Sequence, residues 1–231
     1  MKVLGVLGGM GPAATVAFLA RLQALTPATC DEDHIRVLMD MNPQVPNRHR
    51  DEPGAKRVLG EMAARLREAG ADVLAMPCNT AHAHAEAIRA SGLPFIDMVA
   101  ETAAEAARGA AKRIGVLATP GGDALYAAAL EALGVEPVRL DTAGRRTFLE
   151  AVFQVKAGDV GAGPQGLMRG LAAGLAEGGA EVVIGGCTEV PLLIGAGDVA
   201  VPLVDSAEVL AAACVRICRA DIATDADARQ G

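Results

Sequence analysis

Two of the five cysteines in this 231-residue chain stand in matching contexts. Cys78 lies in Met76-Pro-Cys-Asn-Thr-Ala-His82, and Cys187 lies in Gly185-Gly-Cys-Thr-Glu189. Each follows an apolar, strand-like run and precedes what reads as a helix start. Backbone N–H groups at such a start favour a thiolate or a bound carboxylate. The other three, Cys30, Cys214 and Cys218, fit the ordinary role of a small buried hydrophobe. Cys214 and Cys218 are four apart on an expected helix and would share its core face. Two matched acid/base groups suit one chemistry in particular: one thiolate takes a proton from one face of a carbon, and the opposite thiol returns one to the other face. A free thiol titrates near about 8.5, so a modest lowering brings it close to working pH. The carbanion between these steps needs hydrogen-bond donors around the substrate carboxylate. Asn79, Thr80 and Thr188 stand beside the thiols for that task, with helix N-capping as an equal alternative use.

Other residues invite competing chemistry. Cys78, His82 and His84 form C-x3-H-x-H, but the spacing matches no closed zinc pattern, and no metal is expected. His82 either tunes its neighbouring thiol or is a solvated helix histidine. Gly9-Met-Gly11-Pro-Ala-Ala14 formally fits a dinucleotide-binding turn, with Asp40 as a candidate ribose acid. Asp40 comes later than that motif's spacing of about 20 residues, and Pro12 removes an N–H from the turn. A glycine loop packed near the substrate explains the same residues. Arg48, in a Pro-rich loop, and Lys156, ending a helical pattern, read from spacing alone as solvated charges, and a lysine there suits the helix dipole. A Schiff base on Lys156 lacks any phosphate-cradling context.

These residues need elements to hold them. Strand-like runs fall at Lys2–Leu7, Ile35–Met41, Val73–Met76, Phe95–Ile96, Arg113–Leu117, Val135–Arg139, Val182–Ile184 and Leu203–Val204. Helical patterns separate them, at Ala13–Leu25, Ala55–Ala69, Thr80–Ala90, Gly122–Leu133, Arg146–Lys156, Gln165–Ala176 and Ala207–Ala220, with a further helix starting near Ala100. Alternation of this kind predicts an α/β fold with parallel sheets, which bind ligands at the carboxyl ends of their strands.

An internal repeat organises the whole. Lys2–Leu7 resembles Lys112–Leu117, and Leu66–Val73 resembles Leu175–Val182. Cys78 matches Cys187, and Pro94–Asp97 matches Pro202–Asp205, in the same order at nearly constant spacing. The expected architecture is two similar doubly wound lobes related by a pseudo-two-fold axis, with the active site in the cleft between them. The first lobe would hold residues 1–98 and 207–231, the second 99–206. Cys78 and Cys187 would then face each other from equivalent strand ends.

Composition narrows the class. Hydrophobic residues make up 52% and charged residues 21%, an ordinary globular profile. The formal charge of −7 argues against nucleic acid and anionic membrane as partners. With no Trp, one Tyr and four Phe, aromatic stacking is not the expected grip, and a small polar ligand held by charge and hydrogen bonds fits better. Gly8, Gly9, Gly11 and Pro12 break the N-terminal apolar run too early for a signal peptide, and no run is long enough to span a bilayer. A cytoplasmic location with reduced cysteines is expected.

Together these motifs resemble the aspartate/glutamate racemase family over nearly the whole chain. The likeness rests on Gly5–Pro12, Asn42–Arg48, Pro77–His82, Gly115–Thr119, Val155-Lys156 and Gly186–Glu189. It implies a cofactor-independent racemase, with no pyridoxal phosphate, acting as a homodimer on a small amino acid. It makes Cys78 and Cys187 the catalytic pair, with Asn79, Thr80 and Thr188 around the substrate. The matching motifs add Met10, Thr119 and Glu189 to the substrate-binding set. The likeness is nearest the aspartate racemase branch, where the residues matching Arg48 and Lys156 are associated with the side-chain carboxylate. Glutamate, a broader set of amino acids, or another isomerisation or decarboxylation of a small dicarboxylate on the same scaffold are the alternatives. One departure bears on the substrate: the family commonly has Gly-Thr where this chain has Gly121-Gly122.

Overall fold

The computed structural model describes residues 1–47 and 52–220. The chain forms two compact units. One contains Met1–Pro77, His84–Met98 and the segment from Leu210; the other contains Cys78–Ala83 and Val99–Val209.

The first unit is built on a parallel sheet in the order β2-β1-β3-β4, from β1 (Leu4–Gly8), β2 (Val37–Met41), β3 (Val73–Ala75) and β4 (Phe95–Ile96). The second has a parallel sheet in the order β6-β5-β7-β8, from β5 (Arg113–Leu117), β6 (Glu136–Arg139), β7 (Val182–Gly185) and β8 (Leu203–Asp205). The two orders are the same once the repeat is applied. Strands β1 and β3 are buried throughout, and β5 and β7 are buried beyond their first residues. Parallel strands covered on both faces read as unbroken apolar runs rather than alternations. Edge strands β2 and β6 are only partly covered, and β6 carries Pro137 where no inner ladder bond is lost.

The repeated residues do the same structural work twice. A Cβ at Gly5 would lie 2.7 Å from Leu74, 2.9 Å from Ala71 and 3.4 Å from Leu66. A Cβ at Gly115 would lie 3.1 Å from Ala180 and 3.2 Å from both Leu175 and Val183, the matching residues. Each central-strand glycine therefore lets a helix and its exit turn approach the sheet. Those helices are α2 (Glu52–Glu68) and α7 (Ala162–Glu177). They end alike: Gly70 at φ +96° and Gly179 at φ +91° reverse the chain. The amides of Ala71 and Ala180 then bond back to the carbonyls of Leu66 and Leu175, both at 3.0 Å.

The remaining helices are α1 (Pro12–Leu25), α3 (Ala85–Arg89), α4 (Met98–Ala106), α5 (Pro120–Ala132), α6 (Thr142–Lys156) and α8 (Ser206–Cys218). Phe18, Leu59, Met62, Leu74 and Ile88 fill the first unit. In the second, Phe148, Val152, Met168, Ala172 and Leu175 form a core cluster under one part of the sheet, and Val116, Tyr126, Leu130 and Ile184 form another.

Helix α2 starts three residues before Ala55, and three further helical expectations are corrected. Helix α6 starts four residues before Arg146, because the Asp141 carboxylate accepts the Gly144 amide at 2.7 Å and caps it. Helix α7 starts three residues before Gln165, with Pro164 accommodated in its first turn. The single helix expected over Thr80–Ala90 is instead a 3₁₀ segment, Thr80–His84, followed by the short α3. Among the described residues no helix is long and apolar enough to cross a membrane.

Candidate active site

Cys187 lies two residues beyond the carboxyl end of β7 and Cys78 three beyond that of β3. Both are buried, and both belong to the second unit. Neither leads into a long helix, contrary to the expectation. Each is followed by a 3₁₀ turn, Thr80–His84 in one case and Val190–Leu192 in the other. The N-terminal dipole of an α-helix is therefore not what acts on either sulfur.

Around Cys187 the side chains make a compact charge arrangement. Its Sγ donates to Glu189 Oε2 at 2.9 Å, and Thr188 Oγ1 donates to the same oxygen at 3.4 Å. Lys156 Nζ stands 3.8 Å from Glu189 Oε1. Glu189 is buried and Lys156, although exposed, is paired with it, so the lysine is not the free surface charge that spacing alone suggests. Burial pushes the Cys187 thiol well above its ordinary range, and the charge and hydrogen bond of Glu189 push the same way; Lys156 pulls against them. The modest lowering expected for this thiol is thus reversed in this state.

Around Cys78 the neighbours are held by hydrogen bonds instead. A ring nitrogen of His82, Nδ1, lies 2.9 Å from the Cys78 carbonyl oxygen, and His82 is buried, so the solvated alternative is excluded. The Asn79 side chain bonds to two other side chains. Its Oδ1 accepts from Tyr126 Oη at 2.6 Å, and its Nδ2 donates to Ser206 Oγ at 3.1 Å. Ser206 Oγ in turn donates to the Gly185 carbonyl at 2.7 Å. The hydroxyls of Thr80 and Thr119 lie 2.7 Å apart, and Thr119 Oγ1 also accepts the Gly122 amide at 3.3 Å, capping α5. Thr80 and Thr119 are therefore brought together, as are Thr188, Glu189, Lys156 and Cys187.

Met10 is buried in the glycine loop of the first unit. Arg48 lies outside the described residues. Sequence reasoning missed Tyr126 and Ser206. The only signal for Tyr126 is that it is the sole tyrosine of the chain.

The competing motifs find local explanations. A Cβ at Gly8 would lie 2.6 Å from Thr15 Cγ2, and Gly9, at φ +94°, packs against the backbone of Asn42. Thr15 Oγ1 accepts the Gly9 amide at 2.9 Å, so one N–H of the supposed phosphate turn is already used. Asp40 is paired with Arg65 at 2.7 Å. Among the described residues, no group of three His, Cys, Asp or Glu side chains is placed to hold a metal ion.

Comparison with known proteins identifies the family. The model of the Asp/Glu/Hydantoin racemase family matches residues 7–214. The broad specificity amino-acid racemase RacX of Bacillus subtilis is 28% identical over 222 residues, covering 92% of this chain and 96% of its own. The aspartate racemase of Picrophilus torridus superposes with a TM-score of 0.84 at 25% identity, covering 94% of each chain. The glutamate racemase isoform RacE1 of Bacillus anthracis shares the fold with a TM-score of 0.67 at 23% identity, over 95% of this chain and 82% of its own. With two like parallel sheets, two buried cysteines beyond matching strand ends and a family match along most of its length, the chain belongs to the Asp/Glu/Hydantoin racemase family and is an isomerase of the amino-acid racemase type.

Proposed function

We propose that this racemase interconverts L- and D-aspartate without a cofactor, with Cys78 and Cys187 as its two bases. The observation that carries the reading is the matched pair of cysteines, one beyond each of the equivalent central strands β3 and β7. Chemistry on one face of a carbon needs one such group; inversion needs two. The cycle requires one sulfur as thiolate and the other as thiol. Burial and the adjacent Glu189 carboxylate keep Cys187 protonated, so in this form it is the acid. Cys78 is then the base that takes the Cα proton, and Cys187 delivers its own to the opposite face. Turnover in the other direction starts from the reverse protonation. With substrate bound, the hydroxyls of the Thr80–Thr119 pair and of Thr188, which turns from Glu189, supply donors toward the substrate carboxylate and stabilise the carbanion. A preorganised donor of this kind is worth about 10²- to 10³-fold in rate.

Lys156 and Arg48 form the proposed grip on the side-chain carboxylate, with Met10, Asn79 and Glu189 completing the substrate-binding set. The aspartate racemase fold neighbour at 25% identity supports this choice of substrate. A broader substrate range, glutamate included, is the second reading. It is favoured by the RacX relative and by Gly122, which offers no side-chain hydroxyl to select one acid over another. A homodimer, as the family resemblance implies, and a cytoplasmic location, as the sequence pattern suggests, complete the reading.

Incubation in heavy water with a panel of amino acids and no added cofactor tests it. Deuterium should enter Cα of aspartate as D-aspartate forms from the L-enantiomer. A folded enzyme that binds aspartate but leaves its Cα proton unexchanged would falsify the assignment.

A further inference from the structure

Three buried side chains link the two cysteine segments by hydrogen bonds that involve neither sulfur. Tyr126 Oη donates to Asn79 Oδ1 at 2.6 Å, Asn79 Nδ2 donates to Ser206 Oγ at 3.1 Å, and Ser206 Oγ donates to the Gly185 carbonyl at 2.7 Å. Asn79 follows Cys78 directly, and Gly185 is two residues before Cys187. Tyr126 and Ser206 are fully buried, and Asn79 is 3% exposed, so no solvent competes for these bonds. The tyrosine ring closes a second link. It sits in the space left by Gly186, where an added Cβ would lie 2.6 Å from Cε2 and 2.9 Å from Cδ2. One side chain thus touches the residue after one cysteine and the residue before the other.

We propose that Tyr126 is a positioning residue for racemisation, fixing the Cys78 segment in register with the Cys187 loop through Asn79, Ser206 and Gly186. The inference rests on the two-cysteine reading. Its physical basis is the steep dependence of proton transfer on donor–acceptor geometry, where a misplacement of about 1 Å costs about 10²-fold. A buried network with both ends satisfied holds such a geometry more tightly than apolar packing alone.

Tyr126→Phe keeps the ring against Gly186 and deletes only the hydroxyl, leaving Asn79 Oδ1 without this donor. Ser206→Ala cuts the same chain at its other end, and it serves as the test should the first variant not fold. With L-aspartate in heavy water, either folded variant should lose about 10- to 100-fold in kcat with KM changed less than about twofold. The informative readout is isotopic. A displaced Cys78 segment lets the carbanion recover a solvent deuteron on the face it left, so deuterium should accumulate in unconverted L-aspartate relative to D-aspartate formed. The double variant should be no slower than the slower single one, because both cut one chain. Wild-type kcat and isotope ratio in both single variants would overturn the proposal. So would a loss of rate that follows the folded fraction with the ratio unchanged, since that is a purely structural role. If the wild-type enzyme itself exchanges no Cα proton, it is the two-cysteine reading that fails.

Discussion

At the residue scale, burial first and Glu189 second raise the Cys187 thiol above its ordinary range. The Glu189 carboxylate accepts the thiol proton at 2.9 Å, and its charge opposes formation of a second anion beside it. Glu189→Gln keeps an acceptor oxygen and removes the charge, so the thiol should ionise at lower pH. We predict that Cys187 in the wild-type protein reacts with iodoacetamide more slowly at pH 7 than the exposed Cys30, and that Glu189→Gln moves the Cys187 alkylation profile to lower pH. Peptide mapping across a pH series reads both. An unchanged profile would mean that burial alone controls this thiol. The cysteine pair was legible in the sequence because its surroundings recur at constant spacing. From local pattern alone the neighbours of those cysteines were legible only where they are adjacent in sequence, as Thr188 and Glu189 are; Lys156 and Thr119 came from the family resemblance. Tyr126 reaches Asn79 across 47 residues and Ser206 reaches it across 127, and no local pattern encodes such contacts. The sign of the Cys187 shift was likewise hidden. It depends on burial and on a carboxylate orientation that the Cys-Thr-Glu triplet does not specify.

At the scale of elements, the strands were readable nearly to their ends, because buried parallel strands are continuous apolar runs. The repeat was readable for a physical reason: the same glycine, helix turn and alanine solve the same packing problem in each unit. Gly5→Ala tests that point. Its Cβ would press on Ala71 at 2.9 Å, a contact with no flexible end to yield. We predict a loss of about 1–3 kcal/mol in urea unfolding, the usual cost of overpacking; a neutral result would show that α2 can retreat from the sheet. Helix starts were read less well. Asp141 caps α6, yet the Thr-Ala-Gly run after it lacks the apolar periodicity that marks a first turn. Asp141→Ala should cost about 1 kcal/mol by the same assay, through loss of that cap. The 3₁₀ path of Thr80–His84 was not legible, because His82 turns inward to the Cys78 carbonyl and the repeating apolar face expected there is used for local bonding.

At the scale of the whole molecule, buried thiols tie stability to alkaline pH. Burial pushes Cys218 up to about 11 and raises Cys187 well above its ordinary range. A thiol raised in the folded state holds its proton while the unfolded chain, titrating near about 8.5, has lost it. The stabilisation is therefore complete below about pH 8.5 and is lost as pH rises through about 11. We predict that Tm falls steadily over that window, and that Cys218→Ala has a lower Tm at neutral pH but a shallower alkaline decline. Parallel declines in the two proteins would remove Cys218 as a source of the effect.

The most direct measurement at this scale is racemisation of L- and D-aspartate by Cys78→Ala and Cys187→Ala, each shown to be folded. Inversion needs a group on each face, so each substitution should abolish interconversion from both enantiomers. Full activity retained by either protein, in either direction, would contradict the two-base assignment.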